Sequence, residues 1–347
     1  MSNHSKIRRP TSIDVARLAG VSQTTVSKVM ASDATYGISE QTRARVLQAI
    51  DQLDYQPHEA ARSLRSQSSR IIGMALPEAY NMHFYEMAMG AQDYAKSKNY
   101  GLFFSITNFD LERDQLNLQW LKQKRYDGLI LISQNKKILD KDLQILWSKG
   151  YTVTVLGYSE PDRDSVYVNT NEGVEALLQH LIELGHHRIG YIYGVADQTL
   201  FAGRLNSCLE MQKRLGVKVQ ERYIRRCGPA AKDGYDATLA LLEEYSYDER
   251  PTALIVVNDL LAGAVLTALH TAGISVPTQM SVASFDNTPG AAYIVPPLTT
   301  VDSQAYTMGA EGARLTIERL YAHDRLSEQV MLHSKLIIRE STGPASN

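Results

Sequence analysis

The chain has 347 residues, with 36 Lys and Arg against 38 Asp and Glu and a formal net charge of −2. That length fits a small unit joined to a larger one rather than a single compact domain. With 2 cysteines, no apolar run near the ~18 residues of a membrane span and no apolar leader core, a disulfide scaffold, a helical membrane protein and a secretory precursor are not expected, and a cytoplasmic chain with reduced thiols is.

Cys208 and Cys227 are too far apart for a zinc knuckle, and no histidine is spaced as a ligand around them. His186-His187 lacks the i, i+4 spacing of a helical metal site and reads as surface. No metal and no cofactor are expected. Charge is uneven: residues 1–66 hold 9 Lys and Arg against 6 Asp and Glu, and the rest hold 27 against 32. A basic end on an acidic body suits a surface offered to phosphates.

Residues 1–10 are polar and basic and are expected to order only on a partner. Thr11 to Met30, TSIDVARLAGVSQTTVSKVM, reads as two short helices about a tight turn. Thr11 is placed to cap the first, with Asp14 closing the arrangement. Ile13, Val15, Ala16 and Ala19 form its apolar face, Gly20 supplies the left-handed turn, and Val21 fills the angle. Ser22 caps the second helix, which buries Val26 and Val29 and exposes Gln23, Thr24, Thr25, Ser27 and Lys28. Amides, hydroxyls and one cation at the exposed end of a second helix match base edges and phosphates in a major groove. Taken alone, the same residues also fit a helical hairpin inside a larger domain. A loop follows over 31–38, turning at Asp33 and Gly37. Ser39 then caps a third helix with Val46, Ala49, Ile50 and Leu53 at i, i+3, i+4 and i+7, ended by Pro57.

The run DVA-x-x-AG-VS-x-x-TVS-x-V closely resembles the DNA-binding headpiece of the lactose-repressor (LacI) family. Ser39-x-x-Thr42-Arg43-x-Arg45-Val46-x-x-Ala49-Ile50-x-x-Leu53-x-Tyr55-x-Pro57, then Ala61-Arg62-x-Leu64-Arg65, continue the same pattern. The resemblance implies that Gln23 and Thr24 carry base readout while Ser22, Thr25, Ser27 and Lys28 hold phosphates. Residues 58–66 are too short for a stable isolated helix. The resemblance makes them a hinge helix that folds on the operator and wedges Leu64 into the minor groove; without the headpiece they would read as plain linker.

From Ser69 the pattern alternates. Strands are expected over 71–76, 101–106, 127–132 and 153–156, with helices over 84–98 and 111–123. A second series follows: helices over 172–184, 200–215, 232–244 and 260–272, and strands over 188–193, 253–257 and 281–285. This is βαβ repetition around parallel sheets. The pattern gives two α/β lobes. The family resemblance makes them a core like the periplasmic sugar-binding proteins and adds three crossovers, returning 300–326 to lobe one and 331–338 to lobe two. The expected architecture is therefore an all-α helix-turn-helix headpiece (1–57), a hinge (58–68) and an α/β two-lobed core (69–347). Lobe one takes about 69–168 and 300–328, and lobe two about 169–299 and 329–342.

Parallel sheets bind ligands beyond the carboxyl ends of their strands. Asn81-Met82-His83-Phe84-Tyr85, Arg204, Asn258-Asp259 and Asp286-Asn287 fall there. They offer stacking faces, donors and acceptors suited to a polyol, though each alone also fits a cap or a surface group. The family's effector contacts match Arg204, Asn258 and Asp286, and Phe84 and Tyr85 are added from lobe one. Three departures bear on which ligand is bound: Ser207 where the family commonly has glycine, Gly157 where it has an acid, and Pro77-Glu78 for Pro-Asp.

The function expected is a transcriptional regulator, most simply a repressor: a homodimer on a pseudo-palindromic double-stranded operator, controlled by a small sugar-like effector acting as inducer. A tetramer is not expected, because the ending STGPASN carries no leucine heptad. The alternative is a sugar- or nucleoside-binding module in which ligand acts as corepressor or the headpiece is idle; a shift assay on DNA fragments separates the two. An enzyme is not expected, for the chain has no G-x-S-x-G elbow, Walker A loop or H-E-x-x-H.

Overall fold

The computed structural model describes residues 10–30, 37–55, 68–133, 135–194, 202–322 and 324–346. The basic arm at 1–9, the turn at Asp33, Pro57 and the hinge segment with Leu64 lie outside the described residues. The chain divides into two units, Met1–Ser69 and Arg70–Asn347.

In the first unit, α1 (Ser12–Ala19), α2 (Gln23–Met30) and α3 (Glu40–Gln52) pack around Val15, Ala16, Ala19, Val26, Val29, Val46 and Ala49. Thr11 caps α1 by a reciprocal pair: the Asp14 N–H donates to Thr11 Oγ1, and the Thr11 N–H donates to Asp14 Oδ2 at 2.9 Å. Gly20 takes φ 63° and ψ 41°, and its N–H returns to Ala16 and Arg17 carbonyls. Val21, Ile50 and Leu53 pack on this core as partly buried residues. Ile13 does not join it. It is 54% exposed, because it sits two residues before Val15 and so about 200° round the helix.

The second unit holds two six-stranded sheets. The first runs β11-β5-β4-β3-β1-β2, with β1 (Ile71–Leu76), β2 (Gly101–Ile106), β3 (Gly128–Leu131), β4 (Thr152–Leu156), β5 (Ser165–Asn169) and β11 (Gln329–His333), all parallel. The second runs β12-β10-β9-β8-β6-β7, with β6 (Ile189–Gly194), β7 (Ile224–Cys227), β8 (Ala253–Val256), β9 (Ser281–Asp286), β10 (Thr299–Asp302) and β12 (Lys335–Ile337). There, β12 alone is antiparallel, against β10. Strands in such sheets are buried on both faces, so they read as continuous apolar runs, yet alternate residues still part company. Ala75, Leu129, Leu131 and Val153 face α5 (Leu111–Lys122) and α6 (Lys136–Ser148), whereas Ile72, Met74 and Ile130 belong to the larger core cluster with the helices opposite.

Those helices are α4 (Met82–Ser97) and α11 (Ala305–Tyr321). They approach so closely that a Cβ on Gly90 would lie 1.9 Å from the Tyr306 carbonyl oxygen, and one on Gly309 would lie 1.8 Å from that of Met87. Lobe two carries α7 (Asn171–Glu183), α8 (Ala202–Arg214), α9 (Ala231–Glu244) and α10 (Asp259–Thr271). The C-terminal segment is fastened to it: the Val282 N–H donates to the Ser341 carbonyl, and the Ala345 N–H to that of Leu184. His186, expected at the surface, is 1% exposed, with one ring nitrogen 2.9 Å from the Gly343 carbonyl oxygen and the other 2.9 Å from Thr252 Oγ1.

The chain passes between lobes after β5, after β10 and after β11. The two later passages differ from the expected boundaries. The strand beginning at Thr299 pairs with β9 in lobe two, and Gln329–His333 pairs with β5 in lobe one. Only α11 and β11 return to lobe one. Ser334 ties the passages together: its Oγ donates to the Asn169 carbonyl at 2.7 Å and accepts the Gly173 N–H at 3.0 Å.

Candidate functional site

The first candidate surface is the N-terminal end of α2. Ser22 Oγ accepts the Thr25 N–H at 3.1 Å and lies 2.9 Å from Thr25 Oγ1, so the predicted cap is formed. Ser22, Gln23 and Thr24 are exposed; Thr25, Ser27 and Lys28 are half-buried. Gln23 is held in place, its Nε2 donating to Ser12 Oγ on α1 at 2.8 Å. An amide aimed from a capped helix end is a directional reader of a base edge.

The second is a cavity of about 300 Å³ between the lobes. Lobe one lines it with Phe84, Met87, Ile132, Leu156, Tyr158 and Val168, and lobe two with Gly203, Arg204 and Ser207; Met308 comes from α11 and Ser303 from the passage before it. Arg204 is fixed before any ligand arrives. Its Nη1 donates to the Val257 carbonyl at 2.9 Å and its Nη2 to Asp286 Oδ1 at 2.6 Å, and its guanidinium lies 5.3 Å from the centre of the Phe285 ring. Asp286 takes φ 108°, a conformation costly for any residue with a Cβ, and Asn287 follows at φ 55°. Arg339 braces the bend, its Nη2 donating to Asn287 Oδ1 at 2.7 Å.

His83 reaches across from lobe one, its Nδ1 3.5 Å from Asp286 Oδ1 and 3.3 Å from Ser303 Oγ. Burial pushes its pKa below the ordinary imidazole value; Asp286 opposes this and Arg204 adds to it. Burial also raises the Glu78 carboxyl, with the Asn81 amide opposing and Asp286 contributing. Asp259 is raised to about 6 by burial and then by the Asp286 charge. It is a structural hub: Ser284 Oγ and Thr300 Oγ1 donate to its Oδ1, and the Thr288 N–H and Oγ1 to its Oδ2.

Of the residues expected from sequence, Phe84 and Arg204 line the cavity together. Asp286 stands behind Arg204 and faces a second cavity of about 350 Å³, with His83, Glu86, Asp302 and Lys335. Asn258 is buried, its Oδ1 accepting the Leu261 N–H at 2.9 Å as the cap of α10, and it does not line the cavity. Tyr85 is 51% exposed and points away, one residue and so about 100° round α4 from Phe84. His83 lies in the stretch 81–85 expected at the cleft; Tyr158, Ser303 and Met308 were not anticipated. The strand-end rule could have flagged Tyr158; Ser303 and Met308 come in only with the passage from β10 to α11.

Residues 12–58 match the family described as bacterial regulatory proteins, lacI family, and residues 178–342 match the periplasmic binding protein-like domain. The chain is 30% identical over 331 residues to the HTH-type transcriptional repressor PurR of Mannheimia succiniciproducens, and 32% identical over 336 residues to that of Aliivibrio fischeri. Each alignment spans 94% of this chain and 97% of the relative. Among solved structures, the lac repressor dimer bound to operator and the anti-inducer ONPF is similar with a TM-score of 0.84 at 23% identity, over 97% of this chain and 100% of that one. A complex of the transcriptional regulator CelR with cellobiose gives 0.70 at 25%, over 96% and 100%.

Proposed function

The chain belongs to the LacI family of bacterial regulatory proteins, and from that premise we propose that it represses transcription as a homodimer on operator DNA, controlled by a small molecule held between its lobes. The observation that carries the reading is the capped, outward-facing N-terminal end of α2, with Gln23 already oriented by Ser12. Gln23 and Thr24 read bases, and Ser22, Thr25, Ser27 and Lys28 hold the backbone. Leu64 serves as the minor-groove wedge implied by the resemblance. Two-fold pairing of headpieces suits a pseudo-palindromic site. No catalytic step enters this reading, no helix among the described residues is long and apolar enough to cross a membrane, and a bacterial repressor acts where the chromosome is, in the cytoplasm.

The cleft supplies the control. His83 and Phe84 belong to one lobe and Arg204 and Asp286 to the other, so a ligand touching both favours one lobe orientation, and a ligand shifts an equilibrium only by binding its two states unequally. Coupling of the usual size changes operator affinity by roughly 5- to 150-fold, in either direction. The test is operator selection from random DNA, followed by affinity of wild type and Gln23→Ala. Specificity should relax at one or two base pairs, by about 1–3 kcal/mol each. An unaltered sequence preference would remove α2 from the groove.

A further inference from the structure

Asp286 is 3% exposed, and its side chain is directed across the interlobe surface to within 3.5 Å of His83. Its Oδ1 is taken by Arg204, but Oδ2 is buried with no hydrogen-bond partner. A buried carboxylate oxygen left without a donor is unusual and costly, and in a cleft that binds ligands it marks where a donor is missing. The His83 ring stands 3.5 Å from the other oxygen of this carboxylate, Oδ1, and lines both cavities, with Phe84, Tyr158 and Arg204 on one side and Glu86, Asp302 and Lys335 on the other. His83 is the lining residue that the two spaces share, and Asp286 lies in the wall of the second.

The charges point the same way. Around that point stand Glu78, Glu86, Asp259, Asp286 and Asp302, against Arg204, Arg339 and Lys335 among the described residues. Arg204 already spends one Nη on the Val257 carbonyl and the other on Asp286. An anionic ligand head would meet excess negative charge. A hydroxyl could satisfy Oδ2 but leave the charge standing. An ammonium brings three donors and the missing positive charge together.

We propose that the cleft takes a ligand bearing a protonated amine, whose nitrogen replaces the His83 ring beside Asp286 while its body lies against Phe84 and Tyr158. The proposal rests on the reading of this cleft as the ligand site of a regulator. The full chain is titrated by calorimetry and thermal shift at pH 7 with matched pairs: glucosamine and glucose, galactosamine and galactose, 1,4-diaminobutane and 1,4-butanediol, with N-acetylglucosamine as the bulk control. At least one amine should raise the melting temperature and bind tenfold or more tighter than its neutral twin. Asp286→Asn should abolish that preference. If this variant does not fold, Glu78→Gln, at a less buried carboxyl, should still weaken the amine several-fold and leave its neutral twin unchanged. Neutral twins binding as tightly as the amines, or no amine binding at all, would overturn the proposal. An operator shift assay on the same preparation separates the two levels. DNA binding that answers to a neutral sugar alone refutes the amine and keeps the regulator, whereas absence of any DNA binding refutes the regulator whatever the amines do.

Discussion

The two walls of the cleft are built on different principles. Lobe one offers apolar side chains, Met87, Ile132, Leu156 and Val168, with the rings of Phe84 and Tyr158. They come from strand ends and from α4, which is locked to α11 by glycine contacts. Lobe two offers a polar lattice in which Arg204 is bonded to Asp286, Arg339 to Asn287, and the Asp259 hub to Ser284, Thr288 and Thr300, the last of which also accepts the Asn287 N–H. The apolar wall contributes area without direction, and the polar wall direction at the cost of buried charge. A ligand is gripped by the first and read by the second, and His83 reaches from lobe one to touch the lattice.

The largest effect is expected at Arg204. Arg204→Ala leaves Asp286 buried without its counter-charge, and stability should fall by about 3–5 kcal/mol in urea unfolding, beyond any loss of ligand response. A loss within error would mean that the lattice is not a unit. On the other wall, Gly309→Ala forces a Cβ into the Met87 backbone, where no flexible atom can yield. A cost of about 3 kcal/mol is expected, at the upper end for overpacking, together with weaker ligand binding as Phe84 and Met308 shift.

Asp259 sharpens the contrast through pH. Its carboxyl titrates at about 6 in the folded chain against an ordinary 3.8, so the folded state holds a proton that the unfolded chain has released. The stabilisation is complete below pH 3.8 and is lost as pH rises through 6, which amounts to about 1 kcal/mol between pH 5 and 7. Buried histidines with lowered pKa, His83 and His186, pull the other way. The measurement is therefore the difference in this slope between wild type and Asp259→Asn, and equal slopes would refute the assignment. The smallest effect is expected at Ser207, half-buried on α8 beside the cavity. Ser207→Ala should change stability by no more than about 0.5 kcal/mol, so any altered ligand affinity there reports a contact rather than a disturbed lobe.

Local chemistry was legible residue by residue. Thr11, Asp14, Gly20, Ser22 and Ser39 act through partners within four positions along the chain, so spacing alone predicts their caps and turns. Apolar runs and turn residues likewise located strands such as Ile71–Leu76 and Ser281–Asp286, and Arg204 and Phe84 were reachable because strand ends and helix starts mark the cleft. Asn258 shows the limit: an Asn at a helix start is both a plausible ligand and a good cap, and here the cap is formed.

The three-helix headpiece, the alternation of strands and helices and the resemblance that unites them could be read from the order of the amino acids, because each depends on periodicity or on near neighbours. Tertiary structure decided which sheet each late strand joins. Thr299–Asp302 and Gln329–His333 look alike as short strands, and only pairing with β9 or β5 assigns them to opposite lobes. It also decided that His83 meets Asp286, 203 positions away, and that Ser303 lies between the lobes. A strand's partner and a carboxylate's counter-charge are properties of the folded neighbourhood, set by burial and by contacts that no spacing along the chain encodes.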